Sequence, residues 1–266
     1  MGTRRRLDAE LVRRGLARSR EQAASLVAGG RVLVAGQAAG KPATQVAAGD
    51  PIQVTGVAAE PKYASRGGAK LAGALAAFPG LRVAGRRCLD AGASTGGFTD
   101  VLLRAGAAHV VAADVGYGQL AWALRTDGRV TVLDRVNVRQ LEPAQVAPAP
   151  DLVTADLSFI SLALVLPALV RCASPDADFV LLVKPQFEVG KGRVGAGGVV
   201  RAPGLREQAV AAVAAAAAGL GLGVSGLAAS PLPGPAGNVE YFLWLHRGAP
   251  PLDTGRLRQV IAEGPQ

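Results

Sequence analysis

The sequence predicts an α/β protein in which a small α+β module precedes a larger domain built on a parallel sheet. Two observations lead to this fold class. From residue 87 onwards, apolar strand-like runs alternate with helix-like segments, which is typical of a parallel sheet with crossover helices. The pattern of residues 6–54 instead predicts two short helices followed by two short strands. With 266 residues, half of them hydrophobic, the chain is long enough for both parts.

Positive charge is concentrated towards the N-terminus. Residues 1–70 carry 12 Lys and Arg against 5 Asp and Glu, which accounts for 7 of the formal net charge of +9. Such an asymmetry favours a polyanionic partner, most simply a nucleic acid. The competing interpretation is a solvated basic surface that has no partner.

Composition also excludes several classes of protein. The cysteines, Cys88 and Cys172, lie in apolar contexts, so we expect buried free thiols in a reducing cytoplasm. With only two His in addition, we expect no metal site. No apolar signal core follows the basic residues 1–6. The uncharged span 208–239 is broken by glycines and prolines, and a buried helix followed by a strand fits it better than a membrane span.

In the basic module, apolar residues at helical spacing predict a first helix from about residue 7, which Gly15 ends. Ser19, with Gln22 three residues later, predicts the capping box of a second helix. Residues 31–36 and 50–54 then predict two short strands around a turn.

The larger domain opens with a predicted helix from about residue 62 to residue 79. Seven strands are predicted after it, at residues 88–92, 109–115, 130–134, 151–156, 179–185, 224–230 and 241–245. The helices between them are expected at residues 97–105, 119–124, 161–171 and 203–218. The chain after residue 247 carries no structural prediction.

A glycine-rich turn follows the first predicted strand of this domain. Gly92, Gly96 and Gly97 allow the backbone to approach a ligand closely, and the amides of the next helix would face that ligand. The spacing G-x-x-x-G-G departs from the dinucleotide fingerprint G-x-G-x-x-G, which favours S-adenosylmethionine over NAD. The alternative is a tight turn without a ligand. The predicted cofactor-binding residues are Asp90, Gly92, Ser94, Thr95, Gly96, Gly97, Phe98, Asp114 and Asp134.

Three carboxylates have separate expected roles at this site. Asp114 ends the second strand about 20 residues beyond the glycines, where nucleotide-binding folds place an acceptor for ribose hydroxyls. Asp134 ends the third strand and is expected near the adenine edge. Asp90 is expected to shape the loop.

Four further ionisable residues stand out as a set. Lys70 lies on the helix before the sheet, Asp156 ends strand four and Lys184 ends strand five. Glu240 opens the last strand. Ligand sites of open α/β sheets lie at the carboxyl ends of the strands, so Asp156 and Lys184 should converge on the glycine loop. Taken singly, each has an alternative as a surface charge or a helix partner.

The basic module resembles the S4 RNA-binding domain. The resemblance rests on Arg6-Leu-Asp8, Gly15-Leu-Ala-Arg-Ser-Arg20, Ala23, Gly30-Arg-Val32, Gly36, Lys41-Pro42 and Asp50-Pro-Ile52. It implies basic side chains on structured RNA, whose phosphate contacts give affinity and register rather than sequence reading. The predicted RNA-binding residues are Arg4, Arg6, Arg14, Arg18 and Arg20, together with Arg66 in the turn before Lys70. The alternative is an accessory domain with surface arginines.

The Lys-Asp-Lys-Glu set, together with Ser65-Arg-Gly-Gly-Ala-Lys70-Leu71, resembles the FtsJ-like ribose 2′-O-methyltransferases. Combined with the S4 domain, it resembles the TlyA (hemolysin A) family of ribosomal RNA methyltransferases. The matching motifs are Asp90-Ala-Gly-Ala-Ser-Thr-Gly-Gly-Phe98, Ala155-Asp-Leu-Ser-Phe-Ile-Ser161, Lys184-Pro-Gln-Phe-Glu-Val-Gly-Lys-Gly192 and Pro231-Leu-Pro-Gly-Pro-Ala-Gly-Asn-Val-Glu-Tyr-Phe242. The resemblance spans about residues 4–247.

This resemblance implies a Rossmann-like methyltransferase sheet of seven strands, the last one inserted antiparallel. It also implies S-adenosylmethionine as methyl donor and a cytidine 2′-hydroxyl of 16S or 23S ribosomal RNA, within ribosomal subunits, as acceptor. Lys184 is expected to contact the hydroxyl, with Asp156 and Glu240 orienting Lys184 and Lys70; which residue accepts the proton stays open. The expected domains are residues 1–57, a linker at 58–64 and residues 65–266.

Three other functions remain in competition. Methylation of an RNA base would use the same fold, but strand four ends in Ala155-Asp156-Leu-Ser158 rather than in the Asn-Pro-Pro-Tyr-type motif of amino-group methylation. A membrane-lytic protein would need an amphipathic or spanning segment. An RNA-binding assembly factor that transfers no methyl group would not need the complete Lys-Asp-Lys-Glu set.

Overall fold

The computed structural model describes residues 4–17, 19–47, 49–55 and 63–264. The chain divides into two compact units, residues 1–60 and 61–266. The expected domain limits at residues 57 and 65 stay a prediction, because most of the expected linker lies outside the described residues.

The first unit combines two helices with short antiparallel strands. Its elements are β1 (Arg5–Arg6), α1 (Leu7–Arg13), α2 (Arg20–Ala28), β2 (Val32–Val34), β3 (Gln37–Ala38), β4 (Gln45–Val46) and β5 (Ile52–Val54). Strand β2 pairs antiparallel with β3 and with β5, and β1 pairs with β4. The predicted helices are present and the predicted strands pair. Strands β1, β3 and β4 span two residues each, too few for an alternating pattern to reveal.

Both helices of this unit bury one apolar face. Leu7, Leu11, Ala23 and Val27 are fully or almost fully buried and pack together with Val32 of β2. The Ser19 side chain accepts a hydrogen bond from the Gln22 amide at 3.1 Å, so Ser19 is the N-cap predicted from its position.

Several arginines of this unit hold two buried carboxylates. Glu10 accepts hydrogen bonds from Arg13 and, at 2.8 Å, from Arg14, which together hold its pKa at about 2. Arg14 also donates to the carbonyl of Asp50 at 2.8 Å. The guanidinium of Arg14, a predicted RNA contact, is therefore committed to the fold of the unit. Because Glu10 is buried, removing one of its arginine partners leaves a buried negative charge with too few compensating contacts, which destabilises the fold.

We predict that Arg14→Ala destabilises the first unit by about 1–3 kcal/mol, since it removes hydrogen bonds to a buried carboxylate and to main-chain carbonyls. Hydrogen–deuterium exchange of α1 and α2 in the full chain should accelerate while the second unit keeps its protection. Arg4→Ala, at an exposed position, is the control and should leave exchange unchanged. Equal exchange in the two variants would show that Arg14 has no such structural role.

The second unit is built on a seven-stranded sheet with the strand order β11-β12-β10-β9-β6-β7-β8. These strands are β6 (Arg87–Ala91), β7 (His109–Asp114), β8 (Val130–Asp134), β9 (Leu152–Ala155), β10 (Asp178–Val183), β11 (Leu222–Ala229) and β12 (Tyr241–Arg247). Strand β12 lies antiparallel to both β10 and β11, and the neighbours from β10 to β8 are parallel. The predicted fold class and the antiparallel insertion of the last strand are confirmed.

Helices cover both faces of this sheet. They are α3 (Arg66–Ala77), α4 (Gly97–Arg104), α5 (Trp122–Arg125), α6 (Pro143–Val146), α7 (Leu162–Cys172), α8 (Pro185–Glu188), α9 (Pro203–Ala218) and α10 (Thr254–Glu263). Alternate residues of β10 enter opposite cores: Leu181 packs with α7 and α9, and Leu182 packs with α3 and α4. Strand β10 is buried on both faces, which explains its continuous apolar sequence.

Three helices of this unit, α6, α8 and α10, were not predicted, and α6 is a single turn of four residues. Helix α10 lies in the tail, where Asp253 caps it by accepting hydrogen bonds from the amides of Gly255 and Arg256. Helix α8 is one turn long, and Pro185 at its first position made it look like the end of the preceding strand.

The sheet register brings the predicted site residues to one edge. Ala91 of β6 is aligned with Ala113 of β7 and with Ala155 of β9. The residues that follow these three in sequence are Gly92, Asp114 and Asp156. Three neighbouring parallel strands therefore end side by side in the glycine loop and in two carboxylates.

The antiparallel strand completes this edge. Val183 of β10 is aligned with Tyr241 of β12. Lys184 comes directly after the first and Glu240 directly before the second, so both lie at the edge where β6, β7 and β9 end.

Composition-based exclusions can be compared with the described part of the chain. Cys88 and Cys172 are buried free thiols. Among the described residues no group of side chains could hold a metal ion, and no helix there is long and apolar enough to cross a membrane.

Candidate active site

The glycine loop after β6 passes directly over the end of β9. Gly92 has a positive φ of 87°, and a Cβ there would lie 2.6 Å from the backbone oxygen of Asp156. A side chain would therefore push the loop away from the strand that carries Asp156. The glycine is required both by its backbone conformation and by this close approach.

A second close approach joins helices α3 and α4. A Cβ on Gly97 would lie 2.3 Å from Ser65 Oγ and 2.7 Å from the amide nitrogen of Gly68. The start of α4 thus packs directly on the start of α3. Because Lys70 lies one turn into α3, this packing sets the position of Lys70 at the edge of the sheet.

Asp90 supports the loop from below. Its side chain is fully buried and accepts a hydrogen bond from Thr99 Oγ1 at 2.7 Å. Burial raises its pKa to about 7. Asp90 lines neither of the cavities described below, and its carboxylate contacts Thr99 in the helix that follows the loop.

Asp114 ties the loop to the end of β7. Its carboxylate accepts hydrogen bonds from the amides of Ser94, at 2.8 Å, and of Gly116, at 2.7 Å. Each carboxylate oxygen has two acceptor positions, so capacity remains for hydroxyl donors.

Two adjoining cavities open along this edge. The first, which we call the Asp114 cavity, has a volume of about 490 Å³, and its lining includes Asp114, Asn137, Val138, Leu157 and Phe159. The second, the Lys184 cavity, has a volume of about 420 Å³, and its lining includes Arg66, Lys70, Thr95, Phe98, Lys184 and Pro233. Gly92, Ser94, Asp156 and Ser158 line both cavities. The glycine loop and the segment after β9 therefore form the boundary between them.

The four predicted ionisable residues form two ion pairs rather than one cluster. Lys184 Nζ lies 2.6 Å from Asp156 Oδ1 and donates a hydrogen bond to Ser158 Oγ at 2.9 Å. Lys70 Nζ lies 2.5 Å from Glu240 Oε2. The side chain of Glu240 is fully buried, whereas that of Asp156 is 20 % exposed. The Lys184 pair is thus the accessible one, at the boundary of the two cavities.

Some predicted cofactor residues lie away from the cavities. Asp134 Oδ2 accepts a hydrogen bond from Arg125 at 2.6 Å, and Asp134 lines neither cavity. Its expected place near an adenine edge stays a prediction; Asn137 and Val138, three and four residues later, line the Asp114 cavity. Gly96 lines neither cavity, and a Cβ there would lie 2.3 Å from Leu124 and 2.7 Å from Leu120.

The predicted RNA contacts also divide into groups. Arg66 is exposed and lines the Lys184 cavity, and Arg4 is exposed in the first unit. Arg6 and Arg20 both bind Asp8, yet their side chains remain 48 % and 61 % exposed. They can therefore contact a ligand as well, unlike Arg14. Arg18 lies outside the described residues.

Ser158, Asn137 and Phe159 were not predicted as site residues. Ser158 and Phe159 belong to the quoted segment after Asp156, but a serine and an aromatic residue there carry no signal that separates them from loop residues. Phe159 is 91 % exposed with a φ of +65°, a backbone conformation that the sequence does not show.

Two protein families match this chain. The family model for “FtsJ-like methyltransferase” matches residues 63–247, and the family model for “S4 domain” matches residues 5–52. The chain belongs to the FtsJ-like methyltransferase family. It is a methyltransferase preceded by an S4 domain, and this family depends on S-adenosylmethionine.

Relatives cover the full length of this FtsJ-like methyltransferase. The Mycobacterium tuberculosis “16S/23S rRNA (cytidine-2'-O)-methyltransferase TlyA” is 61% identical over 272 residues, covering 100% of both chains. The Brachyspira hyodysenteriae “Hemolysin A” is 36% identical and covers 89% of this chain and 97% of its own. A solved structure, “Putative hemolysin from Streptococcus thermophilus”, is 39% identical with a TM-score of 0.76 and covers 99% of this chain and 96% of its own.

We predict that Asp90→Asn flattens the pH dependence of stability. A carboxyl group whose pKa is about 7 when folded and about 3.9 when unfolded stabilises the fold below pH 4 and loses that contribution as the pH rises through 7. The wild type should lose about 3 kcal/mol more than the variant between pH 5 and pH 8. Urea unfolding at several pH values measures this difference. Parallel pH profiles of the two proteins would contradict it.

Proposed function

We propose that this chain transfers a methyl group from S-adenosylmethionine to the 2′-hydroxyl of a cytidine in ribosomal RNA of the small or large subunit, in the cytoplasm. The observation that carries the proposal is the Lys184 ammonium, held by Asp156 and Ser158 where the two cavities adjoin. The Mycobacterium tuberculosis relative, named for this reaction on 16S and 23S rRNA, supports the choice of acceptor. Residues 1–57 and 65–266, joined by a linker at 58–64, would be the RNA-binding and catalytic domains.

The Asp114 cavity suits the methyl donor. Its volume of about 490 Å³ lies within the range of small-molecule sites, about 300–1,000 Å³. The Asp114 carboxylate would accept from ribose hydroxyls, and Asn137 offers both donor and acceptor groups to a base edge. A glycine at position 92 suits a donor site, because a side chain there would meet the backbone of Asp156 and displace the loop that lines the cavity.

The Lys184 cavity suits a nucleotide of the acceptor RNA. Arg66 is exposed at its lining and would bind a phosphate, for which a guanidinium is well matched. Pro233 and Phe98 supply apolar walls for a sugar. A single nucleotide entering this cavity would bring its ribose to Lys184.

The chemistry requires alignment and charge stabilisation from this chain. Bound S-adenosylmethionine supplies an electrophilic methyl group on a sulfonium sulfur. The chain must orient the hydroxyl oxygen towards that group, which is a positioning task. The Lys184 ammonium would donate a hydrogen bond to the oxygen and stabilise the negative charge that develops on it as the hydroxyl proton passes to a water molecule. Asp156, at 2.6 Å from Lys184, holds the ammonium in place.

The second ion pair has a supporting role in this proposal. Lys70 lines the Lys184 cavity, and Glu240 behind it is fully buried. A buried pair of this kind keeps its cation oriented, because separating the charges would leave Glu240 without a partner in a low-dielectric site. Lys70 would then contact the same nucleotide as Lys184.

We predict that Lys184→Ala lowers kcat for methyl transfer by at least about 100-fold, since an electrostatic contact to the reacting oxygen is lost. Affinity for S-adenosylmethionine should change by less than about threefold, because Asp114 and the glycine loop are intact. Tritium transfer to ribosomal subunits measures the first quantity and calorimetry the second.

Arg258→Ala is the control for this variant. It removes an exposed cation of the same unit, paired with Glu207 at 3.1 Å and away from both cavities. Its turnover should equal that of the wild type. Near-normal turnover of Lys184→Ala would overturn the assignment of Lys184.

We also predict that Asp114→Asn weakens binding of S-adenosylmethionine by about 10-fold or more, since one carboxylate both accepts from the loop amides and would accept from the ribose. The turnover rate at saturating donor should change less than the affinity. Calorimetric titration of the donor measures the shift, with Asp127→Asn, a partly buried carboxylate paired to Arg129 and away from both cavities, as control. Unchanged affinity would place the ribose elsewhere.

A further inference from the structure

Two segments meet at the Lys184 ammonium. The first, residues 156–161, follows β9 and carries Asp156 and Ser158. The second consists of Lys184 and helix α8, whose last residue is Glu188. The distance between the two segments determines whether Lys184 keeps both of its partners.

The Glu188 carboxylate joins these segments. Its Oε2 accepts a hydrogen bond from Ser161 Oγ at 2.6 Å, and its Oε1 accepts one from the amide of Leu162 at 2.9 Å. Burial raises the pKa of Glu188, so the site is partly desolvated and both bonds carry more weight than at a surface. One oxygen thus holds the last residue of the segment that follows β9, and the other holds the first residue of α7.

The segment needs anchoring at each end. At its start, the Asp156 amide donates to the carbonyl of Ala91 at 3.1 Å. Between the ends, Phe159 has a φ of +65°, a left-handed conformation that is unfavourable for a non-glycine residue. The Phe159 ring packs on Phe187 of α8, with ring centroids 5.2 Å apart. A strained loop persists only where its surroundings fix it, and Glu188 fixes its far end.

We propose that Glu188 is a positioning residue that holds Ser158 and Asp156 against the Lys184 ammonium. This inference rests on the proposed function. Glu188 lines neither cavity and acts through Ser161 and Leu162. The competing interpretation is a purely structural one, in which the carboxylate only caps the start of α7.

Asp253 offers a matched control for that competing interpretation. It caps α10 of the same unit by accepting hydrogen bonds from two amides, at 2.8 Å and 3.1 Å, and lines neither cavity. Glu188→Ala and Asp253→Ala each remove a carboxylate that caps a helix. A purely structural role predicts the same small loss of melting temperature and no specific loss of turnover in both.

The test is steady-state methyl transfer by the full chain, with ribosomal subunits and S-adenosylmethionine. For Glu188→Ala we expect kcat to fall at least about tenfold, while KM for the subunits stays within about twofold. Glu188→Gln should recover most of the turnover, because its amide oxygen can still accept from the Leu162 amide and its NH2 group can donate to Ser161 Oγ. Asp253→Ala should keep wild-type kcat.

Ser161→Ala keeps the inference falsifiable if Glu188→Ala does not fold. This variant removes the 2.6 Å bond from the other side, and the double variant with Glu188→Gln should lose no more turnover than the worse single variant. Wild-type kcat in Ser161→Ala, or in folded Glu188→Ala, would overturn the inference. Absence of methyl transfer by the wild type would instead overturn the proposed function, so the two failures are distinguishable.

Discussion

The site depends on how one ammonium group is accommodated at the end of a buried strand. Lys184 directly follows β10, six residues that are all buried, and its own side chain is only 10 % exposed. A cation in such a place is costly unless it is paired and hydrogen-bonded. Asp156 and Ser158 meet this need, and both come from the segment that follows β9, the parallel neighbour of β10.

The remaining features of the site follow from this pairing. The segment after β9 must reach Lys184, and it passes over Gly92, where the glycine loop leaves no room for a side chain. The same segment separates the Asp114 cavity from the Lys184 cavity, so the ammonium lies at the boundary between the cavities that we propose for the methyl donor and for the acceptor. The Lys184–Asp156 ion pair therefore links the register of the sheet to the position of the ammonium proposed to act on the hydroxyl.

The sequence predicted the sheet and its site edge because their signals are local. Apolar runs that end in Asp114, Asp156 and Lys184 identify the strand ends, and parallel pairing then brings those ends together. The division into two ion pairs could not be predicted, since the separation of Lys70–Glu240 from Lys184–Asp156 depends on how α3 packs on α4. Ser158 was not predicted either, because its role comes from a contact with Lys184, which lies 26 positions away in the sequence.

In the basic N-terminal unit, the sequence does not distinguish an arginine that stabilises the fold from one whose side chain stays exposed. Arg14 and Arg20 look equivalent in the chain, yet Arg14 binds Glu10 and main-chain carbonyls, whereas Arg20 keeps most of its side chain exposed. Both arginines bind a buried carboxylate, and Arg14 differs because its guanidinium also donates to the carbonyls of Asp50 and Ala47, contacts that depend on the folded chain.

The position of the transferred methyl group tests the central claim most directly. Ribosomal subunits incubated with the protein and isotope-labelled S-adenosylmethionine can be digested to nucleosides, and these can be separated by mass-resolved chromatography. We expect the label in 2′-O-methylcytidine, in a linkage that resists alkaline cleavage. Label in a methylated base, or no label in RNA at all, would contradict the account.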